Sequence, residues 1–294
     1  SWVGPLIPAA IALALVAAAI HGTWNVLVKV SGDPLTTFRS ATIAAALIIT
    51  PPTAVVWLLA GRPGMSAAAA GWCALSVTLE LTYLWLLSAA YRRGELSAVY
   101  PIARGSAPLL AVIAGLGLLN ERLSGVQLVG VALLLLGILA VSFSQTSGRA
   151  TLPALLTGVA IASYSAVDRV GVRLSTPWLY GWLLVVLLAV SLPVSMWIAA
   201  KLKAVRGGPV GLSSMPRPPG LWQAIVIGLF MWGGYLLVLW ALSIAPLSVV
   251  APVRETAVVG VALWGVWKLR ETNAAAMKLS GALATLVGVA LLAV

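Results

Sequence analysis

Apolar runs of about 20 residues or more, long enough to span a bilayer core, alternate along this chain with short polar breaks. Ten such stretches occur: 5–28, 35–60, 68–91, 97–118, 124–144, 152–173, 177–200, 220–242, 247–268 and 274–294. Each predicts a membrane-spanning helix. The breaks hold turn-forming and charged residues, as in Gly32-Asp33-Pro34, Arg92-Arg93-Gly94-Glu95 and Asn120-Glu121-Arg122. Connections this short make successive helices antiparallel. One break is longer: Lys201–Pro219 carries four basic residues and is rich in Gly and Pro, which reads as an exposed, mobile loop. The stretches use up most of the length and leave no room for a soluble domain. The prediction is an all-α integral membrane protein of ten transmembrane helices.

The pattern repeats. Residues 90–141 align with 241–292 at an offset of 151, so Leu96-Ser97 falls on Leu247-Ser248, Pro101 on Pro252, and Gly130 and Gly137 on Gly281 and Gly288. The first helices of each half align at an offset of 143, with His21 on Tyr164, Asn25 on Asp168 and Pro34 on Pro177. The eight extra residues are assigned to the Lys201–Pro219 loop. Two five-helix repeats follow, 1–146 and 147–294, joined by Gln145–Thr151. Five is odd, so the second copy enters the membrane from the opposite side. Inverted repeats point to a transporter with its site near the midplane. The glycines of each pair lie two turns apart on one face, a surface suited to close helix contact. That contact is either packing within one chain or a dimer seam, so the expected state is a monomer or homodimer.

Composition agrees. The chain is 61% hydrophobic and 9% charged, with a mean hydropathy of +1.06. A soluble domain carries several times more charge. The net charge of +11 sits at helix ends and in loops, where lipid headgroups explain it better than nucleic acid. Several of the thirteen Trp residues lie near helix ends, as interfacial belts require. The single Cys73 permits no internal disulfide and reads as a small buried hydrophobe. No metal cluster, phosphate loop or paired nucleophile and base is visible, so neither a cofactor nor an enzyme activity is expected. No cleavage pattern marks the first stretch as a signal peptide. The first residue is not Met, which reads as trimming or tagging. Arg outnumbers Lys 13 to 5 and Ala and Gly abound, which points to a GC-rich bacterium and its cytoplasmic membrane.

Charged side chains inside an apolar span cost about 2.5–3.5 kcal/mol each and therefore face cavities or partners. They are Glu80, Arg104, Asp168, Arg169, Arg254 and Glu255, joined by His21. Three acids balance three arginines, which favours a paired, hydrated interior. Glu80 lies mid-helix in LSVTLELTYLWLL with Tyr83 on nearly the same face, and a desolvated Glu is suited to carrying protons. The competing reading is a static ion pair with Arg104 or Arg254. His21 and Asn25, and Tyr164 and Asp168, form matching polar stripes about the repeat axis. The competing reading for His21 is a packing residue. Asp168 and Arg169 are near a helix end, so for them it is a solvated or interfacial position. Tyr100 and Arg104 share a face of the fourth helix, which Pro101, Gly105 and Pro108 should interrupt, freeing carbonyls to line a cavity. Trp24, Tyr83, Trp85, Tyr235 and Trp240 are candidates for an aromatic cage around a cation.

WNVLVK with a following Asp-Pro, the AY…G-x-LS-x-x-YP run and LNERLSGVQLVGVALLLLGI, echoed by KLRETNAAAMKLSGALATLVGV, resemble the EamA-type ten-helix branch of the drug/metabolite transporter superfamily. In the echo, Glu271 falls one position off the repeat register. The resemblance implies a central cavity lined by helices 1, 3, 4, 6, 8 and 9, with 5 and 10 outside it, and termini in the cytoplasm. The Lys and Arg count of the loops instead places the termini outside. The expected function is alternating-access, proton-coupled transport of a small polar molecule. Arg and acid in one cavity suit a zwitterionic, amino-acid-like substrate; the alternative is a drug or organic-cation exporter, and a membrane scaffold or enzyme ranks below both. The substrate-binding candidates are His21, Asn25, Glu80, Tyr83, Tyr100, Arg104, Tyr164, Asp168, Tyr235, Arg254 and Glu255, with Glu80 as the proton-coupling residue.

Overall fold

The computed structural model describes residues 6–93, 96–143, 151–205, 218–257, 259 and 275–293, the side chains of 96–101, 141–143, 151, 275 and 278 aside. All regular structure among them is helical. The helices are α1 (Ile7–Val30), α2 (Pro34–Leu59), α3 (Ala67–Arg93), α4 (Leu96–Gly117) and α5 (Gly125–Phe143). Then come α6 (Thr151–Gly171), extended by a 3₁₀ turn at Val172–Leu174, α7 (Pro177–Val205), α8 (Leu221–Ile244), α9 (Leu247–Arg254) and α10 (Ala275–Leu292). The central part of the predicted mobile loop, 206–217, and the link 144–150 lie outside the described residues, as does Glu271.

The breaks work as their residues require. Gly32 takes φ +100°, a left-handed conformation that reverses the chain after α1. Asp33 then caps α2, accepting hydrogen bonds from the Thr36 amide at 2.9 Å and the Thr36 hydroxyl at 2.8 Å, with Pro34 as the first helical residue. Arg92 at the end of α3 reaches back to the same carboxylate at 2.6 Å and pins this corner. Burial pushes the Asp33 carboxyl up, but the Thr36 amide, the Arg92 guanidinium and the Thr36 hydroxyl together hold it below the usual carboxylate range.

The expected interruption of the fourth helix is not found: the backbone of α4 is helical from Leu96 to Gly117, through Pro101 and Pro108. Each proline removes one backbone hydrogen bond but keeps a helical φ, and neighbouring helices hold the segment in place. The break falls in the ninth stretch instead, where the helix ends at Arg254 and Glu255 turns out of it.

Helix pairing follows a two-fold pattern. α3 packs on α6 as α8 does on α1, α4 on α6 as α9 does on α1, and α2 on α8 as α7 does on α3, while α2 meets α7, α4 meets α9 and α5 meets α10. Exchanging helices 1–5 with 6–10 leaves this set unchanged. The α5–α10 contact is built on the glycines. A side chain on Gly130 would strike the Gly288 carbonyl, and one on Gly137 the Gly281 carbonyl. As α5 advances from 130 to 137, α10 recedes from 288 to 281, so the two helices run antiparallel. The contact lies within one chain, which answers the choice between packing and dimer seam for these glycines.

Outward surfaces are apolar: Leu47 on α2, Leu136 on α5 and Leu283 and Leu286 on α10 are all exposed. Six described helices are long and apolar enough to cross a bilayer. The charged residues deep within the helices, Glu80, Arg104, Asp168 and Arg254, instead turn inward, and those at the helix ends, such as Arg92, Arg93, Lys201 and Lys203, are exposed.

Candidate functional site

Helices α1, α3, α6 and α8 bring polar side chains from their inner faces to the middle of the bundle. Around them is a small cavity of about 70 Å³. That is room for roughly five waters at the ~10–15 Å³ each needs. Its titratable side chains are His21 from α1, Glu80 and Tyr83 from α3, Tyr164 from α6 and Tyr235 from α8, set in a wall that is mostly apolar. The helices that line it are α1, α2, α3, α6, α7 and α8. This corrects the expected lining: α2 and α7 take the places of α4 and α9. Thr42, Ala45 and Gly181 are small enough to leave the space open on that side.

Glu80 is buried, and its Oε1 has no hydrogen-bond partner among the described residues. Its electrostatic neighbours are Asp168 and Arg254. The static ion-pair reading is therefore not what the structure holds, because Arg104 and Arg254 are both engaged by a different acid. Beside Glu80 stands a row of three tyrosines. Tyr164 packs edge-on against Tyr83 at 5.6 Å and against Tyr235 at 5.7 Å between ring centres. The Tyr83 hydroxyl is buried without a partner among the described residues. His21 donates from Nδ1 to the Ala17 carbonyl at 2.8 Å, which leaves Nε2 as its open nitrogen.

Asp168 is fully buried, not solvated or interfacial. The Tyr180 hydroxyl donates to Oδ1 at 2.8 Å and the Tyr235 hydroxyl donates to Oδ2. The helix runs to Gly171 and a 3₁₀ turn continues it to Leu174, so Asp168's position near the helix end does not bring it to the surface. Tyr235 therefore joins the carboxylate of Asp168 to the cavity wall.

Next to the cavity, outside its lining, Glu255 bridges two arginines. Arg104 Nη1 lies 3.1 and 3.2 Å from the two carboxylate oxygens, and Arg254 Nε lies 2.9 Å from Oε1. Arg254 also donates to Ser165 at 3.3 Å and lies over the Tyr164 ring at 6.0 Å. Successive residues of a continuous helix do not face each other. The end of α9 at Arg254 is what lets Arg254 and Glu255 meet. All three side chains are almost wholly buried. Such a cluster survives in a low-dielectric interior only because each charge is met by an opposite one.

Other candidates have structural placements. Asn25 is buried away from the cavity, donating to the His21 carbonyl at 2.8 Å and accepting from the Tyr91 hydroxyl at 2.7 Å. Trp85 donates to Ser195 at 3.1 Å, and Trp240 is exposed. Of the five aromatic-cage candidates, Trp24, Tyr83 and Tyr235 line the cavity. The Tyr100 side chain lies outside the described residues. Arg169 does not belong to the central balance of three acids and three arginines. It pairs with Glu121 at 3.3 Å and donates to the Leu242 carbonyl.

Glu121 was legible in the sequence only as part of a turn. In the structure its carboxylate accepts from the Leu247 amide at 2.7 Å, the Ser248 amide at 2.9 Å and the Ser248 hydroxyl at 2.8 Å. It thereby caps α9 from across the chain. The available signal was the recurrence of a Glu after the fourth and ninth stretches.

The fold and site define a multi-pass helical membrane protein whose charged and aromatic side chains converge on an interior cavity. The EamA-like transporter family model, of the drug/metabolite transporter superfamily, matches residues 8–143, and over that stretch the chain is similar to the family. That similarity points to membrane transport. A solved crystal structure, described only as that of a protein, is similar over 97% of this chain and 96% of its own, with a TM-score of 0.63 and 18% identity. That likeness is one of fold. No curated protein matches the sequence.

Proposed function

We propose that the chain is a proton-coupled secondary transporter that carries a small organic cation through the Glu80 cavity by alternating access. The observation that carries this reading is the buried Glu80 carboxylate beside an aromatic row, with one oxygen unpartnered and no arginine in the cavity lining among the described residues. An ammonium group placed there meets a carboxylate and the faces of Tyr83, Tyr164, Tyr235 and Trp24, the combination that cation recognition uses. The amino-acid-like reading drew on arginine and acid sharing one cavity. Arg104 and Arg254 are instead spent on Glu255, so the geometry favours the cationic alternative.

Charge balance supports the coupling. Among the described residues, the buried central acids Glu80, Asp168 and Glu255 are accompanied by two buried central arginines, Arg104 and Arg254, so with all five ionised one negative charge is in excess. A proton or the ammonium of a substrate on Glu80 closes the balance, and either one replaces the other. The halves 1–146 and 147–294 act in this reading as inverted repeats. The two-fold helix pairing and the antiparallel α5–α10 contact support that arrangement. The expected setting is a bacterial cytoplasmic membrane.

The test is binding to the purified protein, followed by tryptophan fluorescence, with tetramethylammonium, methylammonium, glycine and glycerol phosphate as ligands. An amine should bind, and its apparent Kd should rise as pH falls because protons compete for the same carboxylate. Binding of glycine without either amine, or amine binding unaffected by pH, would overturn the proposal.

A further inference from the structure

At one end of the bundle, away from the Glu80 cavity, the α4–α5 turn, the end of α6 and the start of α9 enclose an open vestibule of about 640 Å³. That volume lies in the ~300–1,000 Å³ range of small-molecule sites. Three arginines line it: Arg122, Arg169 and Arg173. Arg169 and Arg173 are four residues apart and repel each other electrostatically. The one acid lining the vestibule among the described residues is Glu121, and its carboxylate is occupied by the Leu247 and Ser248 amides, the Ser248 hydroxyl and Arg169. Arg122 and Arg173 have no acid partner among the described residues. Three guanidinium groups against one committed carboxylate leave two positive charges. Asn120 and Gln127 add side-chain amides to the same wall.

Like charges held together around an open space attract an anion, and guanidinium forks match the oxygens of a phosphate. We propose that this vestibule binds a phosphate-type oxyanion, with Arg122 and Arg173 as its principal ligands and Arg169 as an anchored third charge. The site is separate from the substrate cavity and takes the opposite charge. The phosphate belongs either to the headgroup of an anionic lipid or to a free small anion. Basic pockets between helices bind lipid phosphates by the same chemistry.

The experiment uses the full chain purified in a neutral detergent and measures its melting temperature and ligand affinity. The ligands are inorganic phosphate, sodium chloride at equal ionic strength, and micelles doped with phosphatidylglycerol or phosphatidylcholine. A rise in melting temperature with phosphate but not chloride assigns the site to a free anion. A rise with phosphatidylglycerol alone assigns it to a headgroup. In either case the Arg122→Gln/Arg173→Gln variant should bind at least tenfold more weakly. Both residues are exposed, so the variant should melt like the parent without ligand. Should it not fold, Arg173→Gln alone should weaken binding by about fivefold. No stabilisation by either ligand, or equal stabilisation of parent and variant, would overturn the proposal.

Discussion

Arg104 and Glu255 form an ion pair of 3.1 Å at a separation of 151 residues, the same offset that aligns the two halves of the chain. Equivalent positions of a two-fold arrangement can touch each other only at the axis. Under the proposed inverted repeat this pair marks where the halves meet, and having Arg at one position and Glu at its equivalent makes a bond where two like charges would clash. Because Arg254 binds the same carboxylate, the three members are not equal in weight.

Removing Glu255 leaves two buried arginines facing each other, whereas removing Arg104 leaves Glu255 still paired with Arg254. Breaking a buried pair by deleting one partner costs about 3–5 kcal/mol. Glu255→Gln should reach that range and Arg104→Met should fall below it. Denaturant unfolding of the detergent-solubilised variants reports both values, and an equal loss would show that the triad is not shared in this way.

Glu80→Gln fixes the protonated form of the side chain. In proteoliposomes the variant should lose accumulation driven by a pH gradient yet keep exchange of substrate for substrate. If it concentrates substrate under the gradient as well as the parent does, coupling resides elsewhere, and Asp168 is the next residue to test.

Gly137 has no room for a side chain against the Gly281 backbone. Overpacking of this kind costs about 1–3 kcal/mol. Gly137→Ala should lower the melting temperature, while Gly117→Ala, with open space around its position, should not. A normal melting temperature for Gly137→Ala would mean that α5 and α10 do not approach this closely.

Asp33 offers a pH test outside the spans. Its folded carboxyl sits below the unfolded value of about 3.8. The stabilisation is therefore fully present above that value and is lost as pH falls through the lower folded one. Asn caps a helix about as well as Asp, so Asp33→Asn should cost about 0–1 kcal/mol near neutral pH through the lost pairing with Arg92. The difference from the parent should shrink as pH drops below 3.8, since Arg92 then loses the carboxylate in both proteins. A pH-independent difference would assign the whole effect to the cap's shape.

By itself the sequence determined the helix positions, because about 20 apolar residues in lipid have one good way to satisfy their backbone. It also determined which side chains turn inward: Glu80, Arg104, Asp168, Arg254 and Glu255 are all buried, as the cost of a charge in lipid demands. Helical spacing placed Tyr164 with Asp168 and Glu80 with Tyr83 on shared faces. Only the tertiary structure decided who partners whom. Glu255 takes both arginines, Asp168 takes two tyrosines from α7 and α8, and Glu80 is left with an open oxygen. It likewise brought α2 and α7 to the cavity and turned Glu121 from a loop acid into the cap of α9. Periodicity fixes the face a residue occupies on its own helix, but Coulomb and hydrogen-bond energies depend on distances between helices. Those distances are set when side-chain volumes along every interface pack at once.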